Sequence, residues 1–364
     1  MKRFFITGGG TGGHIYPAIA VADALKDDEI FYVGNPKNLE FDIVKKKKYK
    51  FLCVNIHGMP RNFGFDLIKW IFQLSFAVLK CCFYILKYKP DSVFGTGGYV
   101  SAPALLAAKL LRVPYMMHDC DAQPGLVTRK IAPYASCVSL AFECAKNYIN
   151  NKNCYINGNP IRAEFKTLSK SEARKRLNLE DKLTLCIMGG SQGARTINDA
   201  SVDVLKQLSK NYNLQIIFQT GKRNFDAVIE QLLKIYPDYE ADKNIIVKPY
   251  FEDMVTVLKA SDIAVSRSGS LSISEICASG IAPVFVPYPY AAADHQRKNA
   301  KFMVEKGAGL YIEDNELTAN KLLDTIKSII LDRNKLSELQ RNSLALAKFD
   351  GTEKIVEQLK EISK

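Results

Sequence analysis

Phe5-Ile6-Thr7-Gly8-Gly9-Gly10-Thr11-Gly12-Gly13-His14 and, in the second half of the chain, Cys186-Ile187-Met188-Gly189-Gly190-Ser191-Gln192-Gly193-Ala194-Arg195 are two copies of one design. Each runs from an apolar stretch of strand length, through glycines, into an amphipathic helix. Glycines there let the backbone come close to an anion, and the unpaired N–H groups of a helix start point toward it. Two such turns on similar halves imply an α/β chain of two nucleotide-fold domains facing one another across a cleft. That layout suits moving a group from a phosphate-bearing donor onto a second substrate.

At 364 residues the chain exceeds the usual size of a single core, which agrees with two domains. Its 47% apolar and 24% charged residues are those of an ordinary globular protein. The nine cysteines show no Cys-x-x-Cys pairing, so a reducing cytosol fits better than a disulfide framework or a zinc site. Lys2-Arg3 leads directly into a strand, with no signal-peptide core. The net charge of +12 calls for an anionic partner: nucleic acid, a membrane surface or phosphorylated substrates. With no zinc-finger spacing and no aromatic-basic RNA-binding motif, nucleic acid is the weakest of the three. Lys45–Lys48 reads as a solvated helix end.

The first half alternates strand and helix. Strands are expected at Arg3–Thr7, Ile30–Val33, Phe51–Ile56, Ser92–Gly95, Tyr115–His118, Cys137–Leu140 and Tyr155–Ile156, with helices near Ala18–Lys26, Phe65–Tyr88, Ala102–Leu111 and Gly125–Ile131. The alternation implies a mostly parallel, doubly wound sheet with ligands outside the carboxyl ends of its strands. Asn157-Gly158-Asn159-Pro160 is a strong turn signal. Beyond it the alternation restarts at Leu183–Met188 and continues through Leu214–Gln219, Ile245–Val247, Ile263–Ser266, Pro283–Val286 and Leu310–Ile312. The linker is placed near Asn157–Lys170, and the tail from Ala319 reads as successive helices.

Asp66–Lys87 is long and apolar enough to span a bilayer, but Lys69, Gln73, Lys80 and Lys87 recur along one stripe. Lysines inside an apolar stretch of an α/β pattern argue against a transmembrane helix. Two readings remain: a crossover helix packed on the sheet, or one whose outer aromatics and lysines also enter a membrane interface. Trp70 beside Lys69 leans toward the interface.

Gly8–Gly13 formally satisfies the dinucleotide-binding pattern, which requires an acid closing the second strand. That strand instead ends Val33-Gly34-Asn35, which counts against a nicotinamide cofactor, and neither turn ends in the Gly-Lys-Ser/Thr of a nucleoside-triphosphate loop. A third glycine turn, Gly95-Thr96-Gly97-Gly98-Tyr99-Val100-Ser101, serves either as further floor for a diphosphate or as tight strand-to-helix packing. Ser266-Arg267-Ser268-Gly269-Ser270-Leu271-Ser272-Ile273-Ser274-Glu275 again leaves a strand for a helix. Glu275 can accept two hydrogen bonds from a ribose diol, or simply complement the helix dipole.

Taken together, Gly-Gly-Thr-Gly-Gly-His, Gly-Gly-Tyr-Val-Ser at 97–101, Gly-Asn-Pro-Ile-Arg at 158–162, Gly-Gly-Ser-Gln-Gly-Ala-Arg at 189–195 and the Ser-Arg-Ser-Gly…Ser-Glu run resemble the bacterial peptidoglycan glycosyltransferases. These enzymes add N-acetylglucosamine to lipid-linked N-acetylmuramyl-pentapeptide. The resemblance covers nearly the whole chain. It implies a GT-B fold and inverting transfer from UDP-N-acetylglucosamine to undecaprenyl-diphosphate-linked muramyl-pentapeptide, with no cofactor and no metal. Residues 1–160 would form an acceptor and membrane-associating domain and 161–340 the UDP-sugar domain. Residues 341–364 would pack back toward the first. Phe251 would meet the uracil through its backbone and Glu275 the ribose hydroxyls. Ser191, Gln192, Gly193 and the helix start Ser270, Leu271, Ser272, Ile273 and Ser274 would hold the donor phosphates, with Arg162 and Gln296 nearby. Thr11, Gly12 and Gly13 would complete the donor site from the other domain. The prenyl chain would stay in an anionic membrane, placing the enzyme peripherally on the cytoplasmic face of the bacterial inner membrane.

The family's His-Glu-Gln-Asn stretch is His118-Asp119-Cys120-Asp121 here, which shortens one carboxylate and puts the acid Asp121 where an amide touches the donor sugar. The triplet also mimics a metal-binding Asp-x-Asp, a reading the repeated-domain layout opposes. His14 is the expected general base, since imidazole titrates near neutral pH, and Asp119 is the second choice. Rival functions on the same fold are a UDP-N-acetylglucosamine 2-epimerase and a diacylglycerol glycosyltransferase. A non-catalytic nucleotide-binding module is the third.

Overall fold

The computed structural model describes residues 1–60, 64–190 and 192–363. They pack as two units, Met1–Ile161 with Asp350–Lys364, and Arg162–Phe349. The returning segment therefore begins at Asp350 rather than at 341.

In the first unit the order is β1 (Arg3–Thr7), α1 (Gly12–Ala24), β2 (Glu29–Gly34), α2 (Leu39–Lys46), β3 (Lys50–Cys53), α3 (Phe65–Tyr88), β4 (Ser92–Gly95), α4 (Gly98–Leu110), β5 (Tyr115–Asp119), α5 (Leu126–Ile131), β6 (Cys137–Leu140) and β7 (Cys154–Ile156). All seven strands pair in parallel in the order β3-β2-β1-β4-β5-β6-β7. A parallel sheet covered by helices on both faces is built from continuous apolar runs. β1 illustrates why: Phe4 and Ile6 point into one core with Ile15 and Ala18 of α1, and Phe5 points into the other with Ala77 and Cys81 of α3.

The second unit comprises α6 (Glu164–Thr167), α7 (Lys170–Arg176), β8 (Thr184–Met188), α8 (Arg195–Tyr212), β9 (Gln215–Gln219), α9 (Phe225–Ile235), β10 (Ile245–Lys248), α10 (Met254–Ala260), β11 (Ile263–Ser266), α11 (Ser270–Ser279), β12 (Ala282–Phe285), α12 (His295–Glu305), β13 (Leu310–Tyr311), α13 (Ala319–Ile330) and α14 (Arg333–Ala345). Its six strands are parallel in the order β10-β9-β8-β11-β12-β13. The last helix, α15 (Gly351–Ile362), belongs to the first unit, where Ile355 and Leu359 are fully buried beside Ile15, Ile19 and Leu25. Each such side chain contributes about 1.5–3 kcal/mol of burial.

Two helices start earlier than the sequence pattern suggests. α1 begins at Gly12 instead of Ala18, and α4 at Gly98 instead of Ala102. Each opens on glycine and carries a proline, Pro17 or Pro103, a combination that reads as loop. Pro17 and Pro103 are each the sixth residue of their helix, past the first turn, so each gives up one i→i−4 hydrogen bond that the surrounding packing offsets. The third strand is shorter than Phe51–Ile56. Its ladder ends at Cys53, although the Val54 N–H still donates to the Gly34 carbonyl at 2.8 Å.

Candidate active site

In both sheets the strand order reverses between two neighbours, β1 and β4 in the first and β8 and β11 in the second. Ligand sites of open α/β sheets form at such a reversal, beyond the carboxyl ends of the strands. The glycine turns leave those very strands: Gly8–Gly13 after β1, Gly95–Gly98 after β4, Gly189–Gly193 after β8, and the Arg267–Gly269 loop after β11.

At the first reversal Thr11 is the extended residue before α1, and its carbonyl accepts the His14 and Ile15 N–H groups, both at 3.1 Å. The N–H groups of Gly12 and Gly13 therefore head the helix, as an anion would require. His14 follows them. Its Nδ1 lies 2.8 Å from the Thr96 carbonyl. A carbonyl only accepts, so Nδ1 carries the proton and Nε2 of the neutral ring keeps its lone pair. Thr96 grips the same residue a second time, its hydroxyl donating to the His14 carbonyl at 2.6 Å. The third glycine turn packs on the imidazole. A Cβ on Gly98 (φ +73°) would lie 3.0 Å from His14 Cδ2 and 2.9 Å from the Gly9 carbonyl. Gly98 thus makes room for the histidine, while Gly97 is held to glycine by its φ of +84°; sequence reading divides this turn between diphosphate floor and helix packing.

Behind this pair the His118–Asp121 stretch is pinned from below. His118 is fully buried in a chain of hydrogen bonds whose directions follow from the outer amides. Asn157 Nδ2 donates to Gln358 Oε1 (2.7 Å) and to Ser139 Oγ (3.1 Å), and the Ser139 hydroxyl donates to His118 Nδ1 (3.0 Å). His118 Nε2–H then donates to Asn159 Oδ1 (3.0 Å), and Asn159 Nδ2 donates to the Cys120 carbonyl (3.3 Å). Burial pushes the His118 imidazole down to about 4. Asp119 is buried too, with one oxygen accepting the Asp121 N–H and the other the Gly125 N–H, both at 3.1 Å. Burial first, and then the Asp121 charge, raise its carboxyl. Asp119 holds the turn it sits in, and a carboxyl raised in this way remains a competent base. Asp119, Cys120 and Asp121 bring one potential ligand atom each within 4.8 Å of one another. Each Asp119 oxygen also accepts one backbone N–H of the turn.

In the second unit, Gly193 has φ +81°, and a Cβ there would fall 2.1 Å from the Thr220 carbonyl, so close backbone packing alone demands glycine. Gln192 is exposed, with its carbonyl accepting from Asn224 Nδ2 at 3.2 Å. Ser191 lies outside the described residues. Ser270 starts α11 after Gly269, while Leu271, Ser272 and Ser274 are partly exposed. Ile273 points into the core and can offer a ligand only its backbone. Glu275 Oε1 accepts from Arg162 at 3.0 Å. Burial raises the Glu275 carboxyl, and the Arg162 guanidinium opposes that shift. Gln296 is tied twice, accepting the Tyr288 N–H on its side-chain oxygen (3.0 Å) and the Ser268 hydroxyl on its carbonyl (2.8 Å). The Phe251 N–H donates to Gln219 Oε1 at 2.9 Å, leaving the carbonyl as the backbone group available to a base.

Sequence reading left several residues of these sites unassigned. Gln219 spans from Phe251 to the Gly190 carbonyl (3.3 Å). Arg267 donates to the Val286 and Pro287 carbonyls at 3.0 and 3.1 Å and to Thr196 Oγ1 at 3.1 Å, and pairs with Asp314. It thereby fastens the exits of β11 and β12 to the start of α8. Thr96 and Glu40 play such parts in the first unit. Apart from the glycine context of Thr96 and Arg267, nothing in the sequence flags these residues.

Residues 4–140 match the N-terminal domain, and residues 184–359 the C-terminal domain, of glycosyltransferase family 28. A UDP-N-acetylglucosamine–N-acetylmuramyl-(pentapeptide) pyrophosphoryl-undecaprenol N-acetylglucosamine transferase from Desulforamulus reducens is 36% identical, covering 99% of this chain and 98% of its own. The enzyme of that name from Halothermothrix orenii is 36% identical over 96% of this chain and 95% of its own. Among solved structures, Acinetobacter baumannii MurG superposes with a TM-score of 0.81 at 26% identity, covering 99% of this chain and all of its own. The UDP-GlcNAc 2-epimerase of Neisseria meningitidis reaches 0.67 at 14% identity over 99% of this chain and 100% of its own, a likeness of fold alone.

Proposed function

The chain belongs to glycosyltransferase family 28, with the GT-B fold of two Rossmann-like domains, and from that premise we propose its reaction. It transfers N-acetylglucosamine from UDP-N-acetylglucosamine to the 4-hydroxyl of undecaprenyl-diphosphate-linked N-acetylmuramyl-pentapeptide, a step of peptidoglycan synthesis. The hydroxyl attacks C1 of the sugar from the face opposite UDP. The bond from C1 to the diphosphate oxygen breaks, and an α-linked donor becomes a β-linked product. The observation that carries the chemistry is the Thr96 carbonyl on His14 Nδ1, which leaves Nε2 as the proton acceptor. General-base help of this kind is worth about 10²–10⁴ in rate. Asp119, whose two oxygens each hold one backbone N–H of the turn, is the second candidate base.

UDP is assigned to the second unit. Glu275 takes the ribose hydroxyls, the Phe251 carbonyl meets the uracil, and Gln192 and the N-terminus of α11 take the diphosphate. Arg162 is near enough to Glu275 to offset phosphate charge. Thr11, Gly12 and Gly13, expected from the sequence to complete the donor site, are assigned instead to the acceptor's diphosphate because the N–H groups of the two glycines head α1 beside His14, and Asp121 keeps its assignment to the donor sugar.

Membrane attachment is assigned to α3. Ala77, Cys81 and Ile85 form its narrow buried seam, while Phe72, Phe76, Leu79, Phe83 and Leu86 stand exposed along the outer face beside Lys80 and Lys87. An apolar face flanked by lysines suits the headgroup boundary of an anionic leaflet. The Trp70 indole N–H anchors the start of the helix to the His57 carbonyl at 2.8 Å.

The test is incubation with labelled UDP-N-acetylglucosamine and lipid-linked muramyl-pentapeptide. Disaccharide-lipid product is expected from the wild type and none from His14→Ala, with UDP affinity kept. Epimerised UDP-sugar formed without acceptor, or transfer to diacylglycerol instead, would overturn the assignment. A large loss of UDP affinity with residual turnover would make His14 a phosphate ligand instead.

A further inference from the structure

We propose that Glu40 is a positioning residue for this reaction: its carboxylate sets the shape of the first glycine turn and so aims the start of α1 and His14 at the acceptor. This rests on the assignment of the acceptor diphosphate to that turn.

By sequence, Glu40 is an acid in the first turn of α2, which ordinarily faces solvent and complements the helix dipole. In the structure it is fully buried. Oε2 accepts the Gly10 N–H at 3.3 Å, and Oε1 accepts the Asn35 N–H at 3.2 Å and Asn38 Nδ2 at 3.3 Å. The surrounding backbone is cleared for it. A Cβ on Gly9 would lie 2.6 Å from Oε1, and one on Gly34 would lie 3.1 Å from Glu40 Cγ. The link continues to the third glycine turn, because Asn38 Nδ2 also donates to the Tyr99 hydroxyl at 3.1 Å. The Tyr99 ring closes against Gly10, where a Cβ would lie 3.0 Å from Cε1. One carboxylate thus ties together the exits of β1 and β2 and, through Asn38 and Tyr99, the exit of β4.

Every group facing the Glu40 oxygens is a donor, so the site requires a side chain that only accepts. An amide would turn its NH2 either onto the Gly10 N–H or onto the Asn35 and Asn38 donors. The Gly10 amide is drawn inward to Glu40. Anion binding is left to Gly12 and Gly13, which are followed at once by His14. Displacing the turn moves all three together, and small misplacements at a reacting centre are costly.

The experiment compares full-length wild type, Glu40→Gln and Glu40→Asp. For Glu40→Gln, kcat/KM for the lipid-linked acceptor is expected to fall on the order of tenfold or more. The UDP dissociation constant should stay within about twofold. Glu40→Asp, still acceptor-only, recovers part of the loss. Amide hydrogen exchange of residues 8–14 is read in parallel without substrates. Protection at Gly10 should be present in wild type, lost in Glu40→Gln and largely kept in Glu40→Asp. Unchanged exchange and unchanged acceptor kinetics in Glu40→Gln overturn the proposal. So does an equal loss of acceptor and UDP binding with a lowered melting temperature, which is a merely structural effect. A wild type that turns over neither substrate refutes the reaction itself, while the exchange comparison still decides whether Glu40 holds the turn.

Discussion

Acid should loosen the first unit through one imidazole. His118 is buried with both ring nitrogens bonded to neutral partners, and its imidazole is pushed down to about 4 from an ordinary 6.5. An unfolded chain takes up that proton first, so the contribution of His118 to stability is fully present above pH 6.5. It is lost as the pH falls toward 4. The shift corresponds to roughly 3 kcal/mol in the acid limit and about 2 kcal/mol between pH 7 and pH 5. Trp70 is the single tryptophan and lies in the first unit, so its fluorescence follows that unit alone. Urea unfolding at pH 7 and pH 5 is compared for wild type and His118→Gln. Wild type should lose about 2 kcal/mol more than the variant over that interval, whatever the variant's stability at pH 7. Asp119, Asp121 and His14 are common to both proteins, and the charges of His14 and Asp121 act on His118 in opposite directions. Parallel losses within about 0.5 kcal/mol would refute the reasoning, because His118 would then titrate alike in folded and unfolded chains.

Gly98→Ala should lower kcat with little change in UDP affinity. The new methyl presses on the His14 ring and the Gly9 carbonyl at a backbone angle that also costs about 1–2 kcal/mol; steady-state kinetics beside calorimetric UDP binding check it. The double variant Phe72→Glu with Phe76→Glu should stop sedimenting with anionic vesicles yet keep its turnover on a short-prenyl, water-soluble acceptor. Unchanged sedimentation would remove α3 from the membrane assignment.

The sequence reveals most where a residue's role is local. The bounds of α3 can be read directly, because apolar residues at helical spacing run from after Gly64 to just before Pro90. The repeated glycine turns disclose both sheets, since each must leave a strand and enter a helix. Legibility fails where the partner is distant. Glu40 looks like a solvent-facing helix acid because the Gly10 N–H it accepts lies thirty residues earlier in the chain. Gly98 looks like a phosphate ligand because the ring it accommodates belongs to a residue far back in the chain. Arg267 stands inside a quoted motif, but its task, joining Thr196, Val286, Pro287 and Asp314, exists only after folding. The starts of α1 and α4 are obscured for a simpler reason: glycine and proline carry a local loop meaning that the packing of these two helices overrides.

The return of α15 to the first unit governs the order of assembly on the ribosome. Residues 162–349 must all be synthesised before Ile355 and Leu359 can reach their places beside Ile15 and Ile19. Until then one flank of the N-terminal sheet's helical cover presents bare hydrocarbon, although the second unit already has its entire sequence. Domains commonly mature in the order they emerge. Here the earliest-made half is the last to be finished, and the nascent chain carries a sticky surface through most of its translation.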